Sequence, residues 1–436
     1  GNELRQEHGG TICADLATTH ISELRQISGK DGRDGEAILT DKKVALEKRA
    51  YIIDQLKHPE EVTALKSIYG SLCYLIGVLS DNARRERTLV QIEGIDRSEA
   101  HGLIMRDQGE ASGHGQHLED TLFHADFFIN NTNPNSAATN NQFTRFLKLI
   151  HGGHGVTPTQ EEYGMYTAYS ASVQSACMSR QVGAAIIDNK GNLLSIGRND
   201  VPKFGGGLYT EDDFTAPNTS DFRCVHKDQQ CHNDLHKEKL RKTIREILAA
   251  ELEELRSKLE LLKLPEGIDL PCPDTLATRI VKNSPIKSLI EYSRAIHAEM
   301  DAIIAIVRSG KDIPPKSTIY TTTFPCHNCA RHIVASGLEK VVYIEPYEKS
   351  LALALHEDSL TLDAAINKVQ LTPFQGVAPS RYQVFFSNTS PEKGADGKMI
   401  ITDSADRLHV DAEFVDSYVQ RELKVAGEIL GRKAAD

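Results

Sequence analysis

Ser293-Arg294-Ala295-Ile296-His297-Ala298-Glu299, followed by Phe324-Pro325-Cys326-His327-Asn328-Cys329, is the pair of segments on which the reading of this chain turns. A catalytic zinc takes three protein ligands and keeps its fourth position for water. Imidazole and thiolate are donors that suit it. His297 supplies the nitrogen, while Cys326 and Cys329, at the opening of a following helix, supply two sulfurs. Bound zinc lowers the pKa of its water to about 7, which makes hydroxide available at neutral pH. Glu299 is left out of the ligand set. Two residues beyond the histidine, it is placed to take the water's proton and deliver it to a ring nitrogen and a departing amine. The plainer readings are a structural zinc knuckle, or a core histidine with two unrelated cysteines. A structural site closes with a fourth Cys or His, and here a glutamate stands in that neighbourhood instead.

Around these segments lie 436 residues, enough for two or three domains, with 40% hydrophobic content to fill their cores. No apolar run approaches a membrane span and no charged-then-apolar leader opens the chain. The first residue is Gly1 rather than methionine, so the expectation is that the natural N-terminus lies upstream. Eight cysteines spread over the whole length, two of them in a CxxC beside a metal histidine, read as metal ligands and reduced thiols in a cytoplasmic protein. The net charge of −11 and the absence of tryptophan argue against a polynucleotide substrate.

Strand-like and helical patterns alternate over residues 1–155, which implies a parallel α/β sheet. Leu39 to Lys48 reads as a helix, Ala50 to Asp54 as a short buried strand, and Pro59 opens a helix at a favoured first-turn position. Tyr74 to Val78 and Asp126 to Asn130 read as strands, with a basic helix from Asp81 to Leu89 between them. A phosphate loop needs G-x-x-x-x-G-K-[ST]; the Gly-Lys pair near the start, Gly29-Lys30, has Leu24 where the first glycine should stand and Asp31 after it, so it is no such loop. Gly152-Gly153-His154-Gly155 marks a hinge. A second domain then runs over 156–390: a helix over Glu161 to Met178, a hairpin through Gln181–Asp188 and Leu193–Gly197, and strands at Thr318–Thr323 and Val341–Ile344. A helix over Ser350 to Leu360 and a final strand at Tyr382 to Phe386 complete it. An insertion at about 205–285 carries Leu240, Ile244, Ile247, Leu248, Leu252, Leu255, Leu259 and Leu262 at helical spacing, the pattern of one long amphipathic helix. Its mixed-sign polar face points to packing on its own domain or a partner subunit rather than on a membrane. Residues 391–436 read as a linker and a terminal helix from Glu413 to Leu430.

The order helix, two strands, metal helix, strand, metal helix, strand resembles the cytidine deaminase fold. Gln181-Val182-Gly183-Ala184, Gly197-Arg198-Asn199-Asp200-Val201-Pro202, His297-Ala298-Glu299 and Phe324-Pro325-Cys326-His327-Asn328-Cys329 are similar to the words of the deoxycytidylate deaminases. The resemblance implies that Asn199 contacts a deoxyribose hydroxyl and that the backbone at Ala298 and Phe324 reads the pyrimidine edge; Asn199 as a plain turn residue is the alternative. Tyr51 to Glu60, Tyr74 to Val78, Asp120 to Asn130 and Val201 to Tyr209 further resemble the two-domain bacterial anti-phage dCTP deaminases, whose front half is nucleotide-kinase-like. The fold implied is α/β throughout: a P-loop-kinase-like parallel α/β domain over 1–155, here without its phosphate loop, then a cytidine-deaminase-like α/β/α domain with a helical insertion. ATP or GTP at the front half and a homo-oligomer are implied with it.

Within the insertion, Cys224, His226, Cys231, His232, His236 and Cys272 form a second constellation, in a neighbourhood where larger deoxycytidylate deaminases carry a structural zinc. A solvated His-rich loop is the alternative. His114, His117, His151 and His154 read as loop histidines. Lys349 and Ser350 open a helix whose free N–H groups suit a phosphate, with a capped helix and a solvated lysine as the alternative; Arg180 has a similar claim. The expected activity is zinc-dependent hydrolysis of the 4-amino group of dCTP or dCMP, in anti-phage defence. A polynucleotide cytosine deaminase would want a basic aromatic channel, and a nucleotide-sensing scaffold with an inert deaminase half would have no need of Glu299.

Overall fold

The computed structural model describes residues 1–28, 50–80, 82–108, 117–131, 137–152, 155–215, 220–261, 271–347, 350–363, 367–387, 393–400 and 418–433. The positions expected for the Leu39 to Lys48 helix, and for His114, His154 and Lys349, lie outside them. In chain order the elements are α1 (Asn2–His8), α2 (Ile12–Ser28), α3 (Pro59–Tyr69), β1 (Ile76–Leu79), α4 (Asn82–Arg87), α5 (Arg97–Gln108), α6 (Leu118–Leu122), β2 (Phe127–Asn130) and α7 (Ala137–Ile150). Then come α8 (Gln160–Ser172), β3 (Gly183–Ile187), β4 (Leu193–Arg198), α9 (Glu211–Thr215), α10 (Cys224–Lys227), α11 (His232–Leu261), α12 (Pro273–Asn283) and α13 (Ala298–Arg308). The chain closes with β5 (Thr318–Thr323), α14 (His327–Ala335), β6 (Lys340–Glu345), α15 (Ala352–Leu355), β7 (Leu360–Thr361), β8 (Val369–Pro373), β9 (Gly376–Val377), α16 (Tyr382–Phe386) and α17 (Tyr418–Lys433).

Two compact units result: Gly1–Tyr166 with Pro373–Asp436 is one, and Thr167–Thr372 is the other. In the first unit β1 and β2 pair in parallel, Ile76 opposite Phe127, as the alternation of patterns implied. The third strand is β9, which pairs antiparallel to β2 through Phe127–Val377 and Phe128–Gly376, so the sheet is mixed rather than parallel. Glu162 is buried beneath that joint, where its carboxylate accepts from the Val377 and Thr159 amides and pairs with Arg145. Phe127, Ile129, Phe146, Leu149, Val377 and Phe385 form the apolar core there. Ala50 to Asp54 is no strand: Ile52 is 92% exposed and Gln55, at φ 66°, breaks the extended run.

In the second unit six strands are ordered β4-β3-β5-β6-β8-β7. β3 pairs antiparallel with β4 and with β5, and β5 runs parallel to β6 with Thr323 opposite Glu345. Ala184, Ile186, Ile319 and Val341 are fully buried, and α13 and α14 pack against them through Ala298, Ala302, Ile306, Ala330 and Ile333. Strands buried on both faces need this near-continuous apolar character. Gly197 has a specific task. A Cβ there would collide with the backbone of Ala298 and Ala302, so only glycine lets β4 lie this close to α13. The amphipathic insertion forms the expected long helix, α11, of 30 residues, paired with α12. Two further elements differ from the sequence reading, one in each unit. The Ser350 to Leu360 helix shrinks to α15 because the chain enters β7 at Leu360, and Tyr382 to Phe386 is a helical turn in which Tyr382 meets Phe386 edge-on, ring centroids 5.0 Å apart.

Candidate active site

His297 is the N-cap of α13, held extended by a short antiparallel bridge in which the Ile296 amide donates to the Asp200 carbonyl at 3.0 Å. The Asp200 carboxylate in turn accepts from the Ala176 and Val201 amides. Cys326 is the N-cap of α14, its sulfur accepting from the Cys329 amide. Both metal-motif halves therefore sit at helix starts, where unsatisfied N–H groups favour negative charge. The capping pattern brings His297 Nδ1 within 3.3 Å of both Cys326 Sγ and Cys329 Sγ. Among the described residues this is the one group whose ligand atoms all lie within 4.8 Å of one another.

The donor set fits zinc. Bond lengths of about 2.0–2.1 Å to nitrogen and 2.3 Å to sulfur at tetrahedral angles put the donors roughly 3.5 Å apart, near the separations found. The hydrogen bond from Cys329, then that from His297, holds the Cys326 thiol down to about 4 against the opposing effect of burial, and leaves Cys329 raised well above the usual thiol range. His297 is raised by its hydrogen bond to Cys326, and burial raises Glu299. Glu299 is 4% exposed on the first turn of α13, with Oε2 3.3 Å from Cys329 Sγ. A carboxyl in such a place holds a proton more readily than an ordinary surface carboxylate.

Residues 158–345 match the family described as the cytidine and deoxycytidylate deaminase zinc-binding region. Zinc is the cofactor of this region. The chain is similar to the deoxycytidylate deaminase of Enterobacteria phage T2, 29% identical over 185 residues that cover 42% of this chain and 78% of the relative. It is equally similar to the phage T4 deoxycytidylate deaminase, 29% identical over 42% of this chain and 76% of the relative. The deoxycytidylate deaminase of Mycobacterium phage D29 is 36% identical over 16% of this chain and 54% of its own length.

The remaining expected site residues are placed unevenly. The Asn199 amide is engaged by backbone: Oδ1 accepts from the Val182 amide and Nδ2 donates to the Arg180 carbonyl, both at 2.7 Å. Any sugar contact must use its second hydrogen and lone pair. The Phe324 N–H donates to the Glu345 carbonyl at 2.7 Å, which fixes the backbone just before Cys326. Ala298 is fully buried behind Glu299. Ser350 donates its hydroxyl to the Pro325 carbonyl at 2.7 Å and accepts from the Ala352 amide, so it ties α15 to the cysteine loop.

The second constellation is only partly assembled. Cys224, Cys231 and His232 line a cavity of about 20 Å³ together with Cys177, which sequence reasoning missed for lack of any local spacing to the others. Burial raises the Cys224 thiol, although the Arg294 guanidinium lies 3.9 Å away. His226 stacks on Phe214 with centroids 4.3 Å apart, His236 stacks on Tyr292, and Cys272 is exposed at the N-cap of α12. Also missed were Tyr347, whose phenol is raised by burial and by the nearby Cys326 charge, and Glu345, which closes β6.

Proposed function

We propose that this chain hydrolyses the 4-amino group of deoxycytidine nucleotides, converting cytosine and water to uracil and ammonia. The observation that carries the reading is a buried carboxyl, Glu299, beside a complete His/Cys/Cys donor set with no fourth protein ligand among the described residues. Zinc, when bound by His297, Cys326 and Cys329, supplies a Lewis acid that makes water acidic at neutral pH. Glu299 would carry the two protons of the attacking water in turn, the first to N3 of the base, where it stays, and the second to the departing amine, which leaves as ammonia. The carbonyl of Phe324 orients the exocyclic amine, and Asn199 fixes the chain that borders the sugar. Support for a nucleotide substrate comes from the phage relatives and from the half-exposed Arg180 at the same sheet edge. Incubating the zinc-loaded protein with dCTP, dCMP, deoxycytidine, CTP and a cytosine-containing oligonucleotide, and following uracil products by chromatography, tests it. Deamination of the oligonucleotide alone would overturn the reading.

Finer assignments belong to the same reading: dCTP preferred to dCMP, a defence role in a bacterial cytoplasm, a homo-oligomeric enzyme, a deaminase domain over 156–390, and a kinase-like front half over 1–155 that binds ATP or GTP as a regulator. Lys349 and Ser350 border the phosphates in this scheme. A second, structural zinc at Cys177, Cys224, Cys231 and His232 belongs to the same reading: they line one cavity, although no three of their ligand atoms meet as a group in this structure. Metal analysis of wild type against Cys177→Ser and Cys224→Ser distinguishes two equivalents of zinc from one.

A further inference from the structure

Arg180 is anchored at both ends. Its carbonyl accepts from Asn199 Nδ2 at 2.7 Å, and its guanidinium pairs with the Glu345 carboxylate at 2.5 Å. Glu345 is itself immobilised: its side chain is 8% exposed, Oε2 accepts from the Thr323 hydroxyl at 2.9 Å, and its carbonyl accepts from the Phe324 amide. Topology explains why these groups meet. β5 and β6 are parallel and end together at Thr323 and Glu345, and antiparallel β3 begins where β5 ends. All three strands thus deliver their terminal residues to the edge from which Cys326 departs. Tyr347, two residues past Glu345, feels the charges of both Cys326 and Arg180. The Arg180 side chain is nevertheless 44% exposed, so the held cation faces solvent.

We infer that Glu345 is a positioning residue for substrate charge: it fixes the Arg180 guanidinium at this edge so that a nucleotide's phosphate meets a preoriented fork. The inference rests on the deaminase reading and adds to it the device that separates nucleotides from nucleosides. A planar guanidinium binds phosphate bidentately only when its orientation is set. A surface arginine left to itself would have to be ordered at the moment of binding, which weakens binding rather than chemistry.

The test measures kcat and KM for dCMP and deoxycytidine, with equilibrium dialysis of both compounds, on the zinc-loaded full chain. Wild type is compared with Arg180→Ala, Glu345→Ala, Glu345→Gln and the double Arg180→Ala/Glu345→Ala variant. Glu345→Ala and Arg180→Ala should each weaken dCMP, in KM and in dialysis, by about tenfold or more, the size of a lost charge-assisted contact. Their kcat should stay within about threefold and deoxycytidine should respond little, since the interaction is one of binding rather than of the transition state. The double variant should be no worse than Arg180→Ala. Glu345→Gln, which keeps an acceptor for Thr323 and Arg180, should recover most of the loss. Equal losses for dCMP and deoxycytidine, additive losses in the double variant, or wild-type dCMP binding by Glu345→Ala would overturn it. Wild-type protein that deaminates nothing defeats the deaminase reading separately, while dialysis still reports whether dCMP binding depends on Glu345.

Discussion

A carboxyl buried as deeply as Glu299 is retained at a cost in stability unless it does chemistry, because burial penalises its charged form. Glu299→Gln should therefore keep zinc and fold yet lose at least about 10²–10⁴ in kcat, the usual worth of a positioned proton carrier. Cys326→Ala should lose metal as well, and metal analysis beside turnover separates the two. A second prediction concerns thiol reactivity. Cys272 is exposed and its thiol is lowered by the Thr275 and Asp274 amides at the start of α12, whereas burial pushes Cys73 up to about 11. Iodoacetamide at pH 8 should label Cys272 well before Cys73, read by peptide mass spectrometry, because the thiolate is the nucleophile. His297, Glu299, Cys326 and Cys329 were legible in the sequence because metal chemistry restricts both residue type and spacing. Glu345 and Cys177 were not, since their partners come from distant strands and loops and only the register of β5 with β6, or the folding back of α10, brings them together.

At the scale of elements, the site is two helix starts set against two strand ends, and its accuracy depends on how closely those helices approach the sheet. Gly197 marks one such close approach, with the backbone of Ala298 and Ala302 directly over it. Gly197→Ala should destabilise the protein by about 1–3 kcal/mol through overpacking. It should also lower kcat more than it raises KM, because Glu299 rides on the displaced turn. Thermal unfolding and steady-state kinetics check both halves; an unchanged kcat with a lowered melting temperature would refute the second. Most helices and the central strands were readable from period and capping. Tyr382 to Phe386 was not: its aromatic run suits a strand, and the local contact of Tyr382 with Phe386 selects a helical turn instead. Nor was β9, two residues long and defined entirely by its partner β2.

At the scale of the whole molecule, the first unit is discontinuous in sequence. Its sheet is completed by β9 and its helices by α17, which packs on α2 and α3. A chain ended at Thr372 would lack Val377 and Phe385 from the apolar core and the backbone partner of Phe127. Such a truncation should leave the first unit open to rapid proteolysis while the second keeps its zinc, as limited digestion and metal analysis would register. The sequence concealed this arrangement, because nothing in residues 373–433 announces that they return to a sheet begun at Ile76. The order of synthesis turns that topology into a timetable. As the chain leaves the ribosome, the second unit has all its residues once Thr372 has emerged, yet the first, although begun earlier, stays unfinished until α17 arrives. The nascent protein thus passes through a period in which its metal-binding half can be complete while its amino-terminal half still lacks β9 and α17.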